Sequence, residues 1–427
     1  MKKNTIKSIK GFKDILPDEI KYYRYFELIS QKVSKQFSIE ELRTPIIEKS
    51  ELFNRSIGEG TDIVNKEMYD FIDKSGDSIC LRPEGTASIV RSVIEHALVY
   101  DRGLKKQKYW YHGPMFRHEK PQKGRYRQFS QFGVEYYGFS DSNSELELIM
   151  MGNSLLHSLN IEQATLHINS LGNKDDKKSY EKIIFNHLGK YKSSLDEYQK
   201  DTLAKNPLRL LDSKNDNIKE LLLNVPTLYE TLSDASKSRF DILLKKLDDL
   251  EIHYLLDNSI VRGLDYYNDT VFEWRHQSLG SQNAICAGGR YDELVNSIGG
   301  DDVPAVGFAM GVERIIEILK LTDNLKIEPN IVIPIINTSS EEKSYAHLIS
   351  KNLRQHFDKI NFYNTDSSVS LTSQLKHAMR INDKFIIIIT DANIKNNNLT
   401  IKSNEDRMSD TIVSWKELIA YMSNKYE

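Results

Sequence analysis

The sequence predicts a multidomain α+β and α/β protein, in which an antiparallel-sheet domain with a helical insertion precedes a C-terminal α/β domain. Three observations support this fold class. Two segments of nearly alternating polarity, KYWYHGPMFRHE and RQFSQFGVEYYG, flank a basic loop, as expected of an antiparallel strand pair. Residues 171–250 are rich in Lys, Asp and Asn and have helical periodicity. Beyond Pro329, strand and helix patterns alternate, which is typical of a largely parallel sheet.

The first part of the sheet domain, residues 1–170, begins with a predicted helix over 18–37, where apolar residues recur at helical spacing. RTPIIEKSELF then predicts an extended stretch that leads into a helix. Because proline cannot donate to a strand ladder, Pro45 places this strand at an edge or an interface. MYDFID and SICLR are predicted strands. A helix after Pro83, the strand pair and a helix over 143–158 complete this part.

The predicted helical insertion, 171–250, separates this part from a second part of the sheet domain, 251–325. Two segments there, HYLLDNSIVRGLDYYNDTVFEWRH and AICAGGRYDELV, have strand patterns, and AVGFAMGVERIIEILK predicts a strand entering a helix. The C-terminal domain, 330–427, is predicted to run strand, helix, strand, helix, strand, hairpin and final helix. Its helices are expected at 343–357, 371–381 and 414–424, and its hairpin around NNN at 396–398.

Composition excludes several classes of function. Lys and Arg total 58 against 61 Asp and Glu, so any contact with nucleic acid must come from local patches rather than overall charge. Two cysteines are too few for a disulfide framework or a cysteine-ligated zinc site, and both are expected to be reduced and buried. The N-terminus lacks the apolar stretch of a secretion signal, and no apolar run suits a membrane span. We therefore expect a cytoplasmic protein.

The segment FRHEKPQKGRYRQ, residues 116–128, carries the strongest local signal for chemistry. It places Arg117, Arg125 and Arg127 on a predicted strand–loop–strand hairpin together with one acid, Glu119. The planar guanidinium group matches phosphate oxygens, so the cluster suits a polyphosphate or an RNA end. A solvated basic loop would have the same composition, and the segment alone does not separate these interpretations.

Polar and aromatic residues follow this hairpin. Gln131 and Glu135 are four residues apart and share a strand face with the hairpin arginines. They predict a polar pocket, unless that face is simply exposed to solvent. In RGLDYYNDTVFEW, Arg262, Tyr266 and Tyr267 offer a cation and two hydroxyls to one ligand, although the tyrosines could equally serve cross-strand packing.

Three weaker signals come from glycine-spaced strands and a helix start. In AGGRYDELV, two glycines precede Arg290 and Tyr291, where the backbone must approach a neighbour closely. In AVGFAMGVERI, small residues leave a flat floor for a planar base beside Arg314, although such glycines more often serve packing. In LRPEGTA, Glu84 and Thr86 either cap a helix or bind a substrate ammonium group.

Taken together in this order, these segments resemble the histidyl-tRNA synthetases, a family of class II aminoacyl-tRNA synthetases. The resemblance covers residues 8–318 and continues more weakly into the C-terminal domain. RTPIIEKSELF is similar to motif 1 of the class, which forms a dimer interface around Pro45. FRHE with its loop is similar to motif 2, and GVERI to motif 3. RGLDYY and AGGRYD resemble the two motifs that distinguish the histidine family within the class.

The resemblance implies ATP-dependent activation of L-histidine to histidyl-adenylate and transfer of histidine to the 3′ end of tRNA(His). Arg117 and Arg262 would be the catalytic cations on either side of the α-phosphate, with Arg262 standing where other class II enzymes place a magnesium ion. The implied histidine-binding residues are Glu84, Gly85, Thr86, Arg117, Gln131, Glu135, Arg262, Tyr266, Tyr267 and Tyr291. The implied ATP-binding residues are Arg117, Glu119, Arg125, Arg127, Phe129 and Arg314.

Several of these residues carry more specific implied roles. Glu135 and Tyr267 would hydrogen-bond the two imidazole nitrogens of histidine. Phe129 and Arg314 would stack on the two faces of adenine, and Glu119 would bind its amino group. Mg²⁺ would accompany ATP and pyrophosphate, and no structural metal is expected.

The implied partners are tRNA(His), L-histidine, ATP and a second copy of the chain in a homodimer, with no DNA and no membrane. Residues 330–427 resemble an anticodon-binding domain, although DANIKNNN stands where a glycine–glutamate pair and a shorter turn are expected. The main alternative is a non-catalytic, histidine-sensing regulatory subunit of ATP phosphoribosyltransferase, a class that lacks this C-terminal domain and parts of the active-site set. An RNA-binding sensor domain of a stress kinase, or a synthetase for proline or threonine, fits less well because kinase motifs are missing and RGLDYY is present.

Overall fold

The structure is a computed structural model that describes residues 5–58, 61–99, 106–122, 124–213, 215–261, 264–322, 325, 331–338, 340–382, 384–403 and 410–426. The chain divides into two compact units, Met1–Leu325 and Lys326–Glu427. An eight-stranded and a three-stranded sheet lie in the first unit, and a five-stranded sheet lies in the second. The predicted fold class, a largely antiparallel sheet domain with helices followed by a C-terminal α/β domain, is confirmed.

The first unit alternates strands and helices along the chain. Its strands are β1 (Glu40–Glu41), β2 (Ile47–Lys49), β3 (Tyr69–Ile72), β4 (Ser78–Leu81), β5 (Gln107–Phe116), β6 (Gln128–Tyr137), β7 (Ala164–Ser170), β8 (Tyr254–Leu256), β9 (Asn268–His276), β10 (Ala284–Arg290) and β11 (Ala305–Gly311). Its α-helices are α1 (Pro17–Gln36), α2 (Ser50–Ile57), α3 (Thr86–Glu95), α4 (Asn143–Ser158), α5 (Lys174–Gly189), α6 (Glu197–Lys205), α7 (Asp216–Leu222), α8 (Leu228–Thr231), α9 (Asp234–Asp249), α10 (Leu294–Ile298) and α11 (Val312–Thr322).

The large sheet has the strand order β1-β5-β6-β11-β10-β9-β7-β8. It is antiparallel except at its ends, where β1 runs parallel to β5 and β8 parallel to β7. The last strand in sequence, β11, pairs with β6 on one side and β10 on the other. The small sheet has the order β2-β4-β3, so β2, which follows Pro45, is an edge strand as expected of a segment that contains proline.

The two faces of the large sheet have different neighbours, and strand β6 shows the division. Its even-numbered residues Phe132, Val134 and Tyr136 pack in one apolar core with residues of α1, α4, α9 and α11. Its odd-numbered residue Tyr137 belongs to a second core with residues of α3 and of α5 to α8. Alternation along β6 therefore buries one face under helices and leaves the odd-numbered face to form the site described below.

The region predicted as a helical insertion contains helices α5 to α9 between β7 and β8. Helices α5 to α8 pack on the odd-numbered side, whereas Phe240, Leu243 and Leu247 of α9 join the core on the opposite side. The strand β7, which directly precedes the insertion, was not predicted. Its alternation in ATLHINS is incomplete because its last three residues are all buried.

The second unit contains strands β12 (Ile331–Asn337), β13 (Ile360–Asn364), β14 (Ile386–Ile389), β15 (Asn398–Lys402) and β16 (Thr411–Ser414) and helices α12 (Ser340–His356), α13 (Leu371–Ile381), α14 (Asp391–Lys395) and α15 (Leu418–Tyr426). The strand order is β13-β12-β14-β15-β16, parallel among the first three strands and antiparallel among the last three.

Two local predictions for the second unit need correction. The predicted turn around 396–398 does join the antiparallel strands β14 and β15, but the connection also contains helix α14, whose N-terminus is capped reciprocally by Thr390 and Asn393. The final helix begins at Leu418 rather than at 414, because the β-branched segment TIVS pairs with β15 as strand β16.

Both cysteines, Cys80 and Cys286, are buried free thiols in the structure, as the sequence predicted. Burial raises the pKa of Cys80 to about 12, so this thiol stays protonated at neutral pH. Among the described residues, no helix combines the length and the apolar content that crossing a bilayer requires.

Candidate active site

A cavity of about 260 Å³ lies on the odd-numbered face of the large sheet. The predicted site residues that line it are Glu84, Thr86, Arg117, Glu119, Arg125, Phe129, Gln131, Tyr266, Tyr267 and Arg314. The structure thus brings together in one pocket side chains that come from four separate parts of the sequence.

The remaining predicted residues lie in three different places. Glu135 and Tyr291 are buried directly behind the lining and contact it through hydrogen bonds and ring packing. Gly85 lies beside the ring of Tyr111. Arg127 is outside the cavity lining, where its Nε donates to the carbonyl of Glu119 at 3.2 Å. Arg262 lies outside the described residues.

One end of the pocket is strongly cationic because Arg117, Arg125 and Arg314 all face it. Arg117 Nε donates to the carbonyl of Pro83 at 2.8 Å, and its guanidinium lies 5.3 Å from the centroid of the Phe129 ring. Burial lowers the pKa of Arg314, and repulsion from the other two guanidinium groups adds to this shift. A polyanion in the pocket would relieve that repulsion.

Glu119 is the acid of the motif-2-like hairpin and pairs with arginines of the same hairpin. Its carboxylate contacts Arg125 Nε closely and lies 3.8 Å from Arg117 Nη1. Arg127 fixes the hairpin from outside, since its backbone N–H donates to the carbonyl of Gly11 at 2.8 Å. These contacts hold the arginine-rich loop over the pocket.

The other end of the pocket is built around a buried carboxyl group, Glu135. Thr86 Oγ1 donates to Glu135 Oε1 at 2.7 Å, and the hydroxyl of Tyr291 donates to Oε2 in a short hydrogen bond. Burial raises the pKa of Glu135 to about 8; the hydrogen bonds from Tyr291 and Thr86 oppose this shift, and nearby Glu84 adds to it. A carboxyl group with this pKa can accept or donate a hydrogen bond near neutral pH.

Three tyrosines enclose this end. The ring centroids of Tyr266 and Tyr267 lie 4.7 Å apart, and that of Tyr291 lies 5.6 Å from Tyr266 and 6.2 Å from Tyr267. Tyr291 packs edge-to-face against both other rings, and Tyr266 and Tyr267 are tilted by 44° to each other. This packing fixes ring orientation, so the hydroxyl groups have defined positions. The result is an aromatic compartment with the Glu135 carboxyl group buried behind it.

Glu84 performs the helix-capping role that the sequence left open, and it also lines the pocket. Its Oε2 and Oε1 accept hydrogen bonds from the backbone N–H groups of Thr86 and Ala87, both at 2.8 Å. Carboxylate oxygens can accept more than one hydrogen bond, so capping does not exhaust this group. Gln131 Oε1, which is buried, has no hydrogen-bond donor among the described residues.

Several residues of the site were missed from the sequence, and Tyr111 and Glu313 are the two with the clearest contacts. Tyr111 is buried between Gly85 and Gly133, since a Cβ at either glycine would overlap its ring. Tyr111 and Arg117 both have odd numbers, so strand alternation places their side chains on the same face of the sheet. That alternation could have identified Tyr111 as a site residue. Glu313, unlike Tyr111, lines the pocket itself, and both of its oxygens accept from Ser130 N at 2.9 Å; burial raises the pKa of Glu313 to about 7.

The fold is that of the class II aminoacyl-tRNA synthetases: an antiparallel sheet that carries an arginine-rich hairpin over a pocket on one face. Within this class, the chain belongs to the histidyl-tRNA synthetase family, because the family's sequence model matches residues 11–315. The family and the enzyme class that the sequence motifs implied are confirmed.

Individual relatives agree with this assignment over nearly the whole chain. The histidine–tRNA ligase of Buchnera aphidicola subsp. Schizaphis graminum is 43% identical over 399 residues, covering 93% of this chain and 92% of the relative. That of Hydrogenovibrio crunogenus is 40% identical over 417 residues, covering 98% and 97%. The crystal structure of apo histidyl-tRNA synthetase from S. aureus has a TM-score of 0.81 at 31% identity, covering 98% of this chain and 99% of that chain.

These relatives bear on the two functions that the sequence left open. Both curated relatives are named as ligases, and the matches to them extend into the C-terminal unit of this chain. At the level of the family, the expected function, attachment of histidine to tRNA, is therefore confirmed. The non-catalytic regulatory subunit is the less supported alternative.

Proposed function

We propose that this chain activates L-histidine with ATP to histidyl-adenylate and then transfers histidine to the 3′ end of tRNA(His). The observation that carries the proposal is the pocket with two different ends. Arg117, Arg125 and Arg314 supply the cations that a triphosphate requires. Glu135 and Tyr267 supply the hydrogen-bonding groups that an imidazole requires.

In the first step, a carboxylate oxygen of histidine attacks the α-phosphorus of ATP. A new oxygen–phosphorus bond forms, the bond to the bridging oxygen breaks, and pyrophosphate leaves with that electron pair. Negative charge develops on the equatorial oxygens of the α-phosphate, and Arg117 stabilises it from a position fixed by Pro83 and Phe129. Arg262 would act from the opposite side, and this role stays a prediction.

Mg²⁺ would enter this site bound to the triphosphate rather than to the protein. The carboxylates at the pocket already have protein partners: Glu84 accepts from two backbone N–H groups, Glu119 pairs with arginines, and Glu313 accepts from Ser130 N. Among the described residues, no three His, Cys, Asp or Glu side chains lie together so that they could hold a metal ion, and this donor set therefore does not fit a protein-held Mg²⁺.

Selectivity for histidine would follow from the buried groups at the tyrosine end. An amino acid without ring nitrogens could not form the hydrogen bonds that Glu135 and Tyr267 would make with an imidazole, and a site built for such bonds can reject an analogue that lacks them by ~10⁴-fold or more. Gln131, whose Oε1 is buried and faces the cavity, suits the α-amino group together with Glu84 and Thr86. Such a pocket needs no separate editing site.

The further partners are also proposals. A homodimer is supported by two exposed apolar side chains in the segment similar to motif 1, Ile46 and Ile47, and by two more on β3 of the same small sheet, Phe71 and Ile72. Residues 330–427, with their mixed α/β fold, would bind the anticodon. The enzyme would work in the cytoplasm, where tRNA, ATP and histidine are present.

The decisive experiment is ATP–pyrophosphate exchange with each of the twenty amino acids in turn. Exchange with histidine alone would support the proposal, since it reports formation of the adenylate and the identity of the amino acid together. A folded protein that binds histidine but exchanges with none of the twenty would favour the regulatory-subunit alternative. Charging of tRNA(His) with labelled histidine then tests the second step.

A further inference from the structure

The segment that carries two of the pocket tyrosines has no regular secondary structure. Residues 264–267 form a turn that leads into β9. The hydrogen bond from Asp265 N to the carbonyl of Ile57 is long, at 3.5 Å. The rings of Tyr266 and Tyr267 nevertheless need fixed positions, because they enclose one end of the cavity. Something outside the turn must therefore hold its backbone.

The insertion supplies one such contact through Lys177 of α5. Its Nζ donates to the carbonyl of Asp265 at 2.8 Å and to the carbonyl of Tyr267 at 3.3 Å. Helix α5 is itself held firmly: Asn173 and Asp176 form a capping box at its N-terminus. The Asp176 carboxylate also accepts from Ser233 N at 2.9 Å, which ties α5 to α9. Lys177 thus reaches the turn from a rigid support.

A second contact holds the side chain of the same turn. The Asp265 carboxylate accepts from Asn206 Nδ2 at 2.7 Å and from Arg209 Nη2 at 3.2 Å, both in the segment that follows α6. On the other side it packs against Gly58, where an added Cβ would lie 2.8 Å from Asp265 Oδ2. Backbone and side chain of the turn are therefore both bound by residues of the insertion.

None of these insertion residues lines the cavity where histidine would bind. Asn206 and Arg209 instead line a separate opening between α6 and the region of α2. The contacts described above connect Lys177, Asn206 and Arg209 to the cavity through residues 264–267: Lys177 binds backbone carbonyls of the turn, and Asn206 and Arg209 bind the Asp265 carboxylate.

We propose that Lys177, Asn206 and Arg209 act as a positioning clamp that holds the Tyr266–Tyr267 turn in the geometry that binds histidine. The helical insertion then sets the affinity for the amino acid without contacting it. Holding the turn before the ligand arrives removes an ordering cost from binding. This inference rests on the function proposed above and adds positioning residues to it.

The test compares Lys177→Met with a matched control, Lys174→Met. The control removes a lysine from the same helix, one turn earlier, whose Nζ forms an exposed ion pair with Glu293 as its one ion pair within the described part of the chain. KM values for histidine and for ATP are measured separately in pyrophosphate exchange, together with thermal unfolding. We expect the histidine KM of Lys177→Met to rise on the order of tenfold to 100-fold. The ATP KM and the control should stay within about twofold of wild type, since such small changes are ordinary for groups outside the site.

A conservative and an independent variant strengthen the test. Lys177→Arg keeps a cationic donor near both carbonyls and should restore part of the affinity for histidine. Arg209→Met and Asp265→Asn break the same contact from its two sides. If both substitutions act by breaking this one contact, the double variant should raise the histidine KM no more than the more damaging single variant does. This pair keeps the proposal testable if Lys177→Met fails to fold.

Two outcomes would overturn the clamp. An unchanged histidine KM in both Lys177→Met and Arg209→Met would show that the turn holds itself. Histidine and ATP KM values that rise together with a fall in thermal stability would show a merely structural role. Failure of the proposed function is distinguishable, because wild-type protein would then show no histidine-dependent exchange at all.

Discussion

At the scale of single residues, the buried carboxyl of Glu135 and the guanidinium of Arg117 have the clearest consequences. The surroundings of Glu135 determine its protonation, and those of Arg117 determine its position. Glu135 is fully buried with a pKa of about 8, and Arg117 is fixed between a carbonyl and an aromatic ring. Their effects can be separated because one acts on proton equilibria and the other on a charged transition state.

The pKa of Glu135 predicts a specific dependence of stability on pH. Its pKa is raised above the ordinary carboxyl value, so its contribution to stability is fully present below that value, 4.5, and is lost as pH rises through about 8. In Glu135→Gln the amide is neutral throughout. Urea unfolding at pH 5 and pH 8.5 should show wild type losing more stability than the variant, by about 1 kcal/mol or more. Parallel losses would mean that Glu135 has an ordinary pKa.

Arg117 and Arg127 should differ sharply although the sequence assigned both to ATP. Arg117→Lys keeps the charge but loses the planar fork at the pocket, and we expect the exchange rate to fall on the order of 100-fold. Arg127→Lys should cost far less, because Arg127 lies outside the cavity lining and holds the hairpin from behind. Pyrophosphate exchange at saturating ATP measures both. Equal losses would place Arg127 at the phosphates.

At the scale of elements, the pocket depends on close approach between neighbouring strands. Gly307 of β11 pairs with Glu135 of β6, and the Glu135 carboxyl group occupies the space that a side chain at position 307 would need. Gly85 and Gly133 likewise leave room for the ring of Tyr111. These glycines are needed for space rather than for unusual backbone angles.

Gly307→Ala should therefore damage histidine binding in particular. The new Cβ would overlap Glu135 Oε2 and approach the carbonyl of Val134, which overpacks the sheet at a cost of ~1–3 kcal/mol. We expect a raised histidine KM and a lower midpoint of thermal unfolding. Gly189→Ala, at a position with open space around it, is the matched control and should leave both unchanged. A normal histidine KM in Gly307→Ala would mean that Glu135 does not contact the ligand.

Sequence patterns were most informative for elements with one buried face. The β5–β6 pair followed from alternation because its two faces meet different surroundings, helices on one and the pocket on the other. Strand β16 was missed because TIVS directly precedes a helix and carries no turn signal of its own. Helix α14 and its reciprocal cap of Thr390 and Asn393 were missed because the helix has only five residues and is followed directly by NNN, which favours a turn.

The sequence predicts the kinds of ligand that the site residues can bind, but it does not predict which way each side chain points. Arginines on a hairpin predict an anion site, but the sequence alone cannot say that Arg117 faces the pocket while Arg127 faces Lys10. For Glu84 both interpretations of the sequence, helix cap and pocket residue, describe the same carboxylate. Lys177 carried no signal at all, because its role depends on two carbonyl groups about ninety residues further along the chain.

At the scale of the whole molecule, the chain has two units with separate apolar cores. The cores of the first unit use residues up to 325, and the core of the second is formed by residues such as Ile333, Phe385 and Met422. Each unit has its own sheet, and no strand is shared between the sheets of the described residues. The units can therefore be separated experimentally.

Deletion of residues 330–427 should spare the first step and impair the second. The pocket residues lie between 63 and 314, so histidine-dependent exchange should stay within about threefold of the full chain, a range typical of changes remote from a site. Charging of tRNA(His) should fall by at least two orders of magnitude if the second unit binds the anticodon. Charging that survives the deletion would assign tRNA recognition to the first unit.

The position of β11 has a consequence for biosynthesis. This strand is the last of its sheet to leave the ribosome, yet it fills the gap between β6 and β10. From the emergence of Tyr137 until Ala305 follows, the nascent chain carries an open strand edge in what will become the middle of its core. An unpaired strand edge can hydrogen-bond to a strand of another chain, so the nascent chain is most prone to aggregate while β11 is still being synthesised. Slow translation across the insertion should lower the yield of folded enzyme, and chaperones that cover strand edges should restore it.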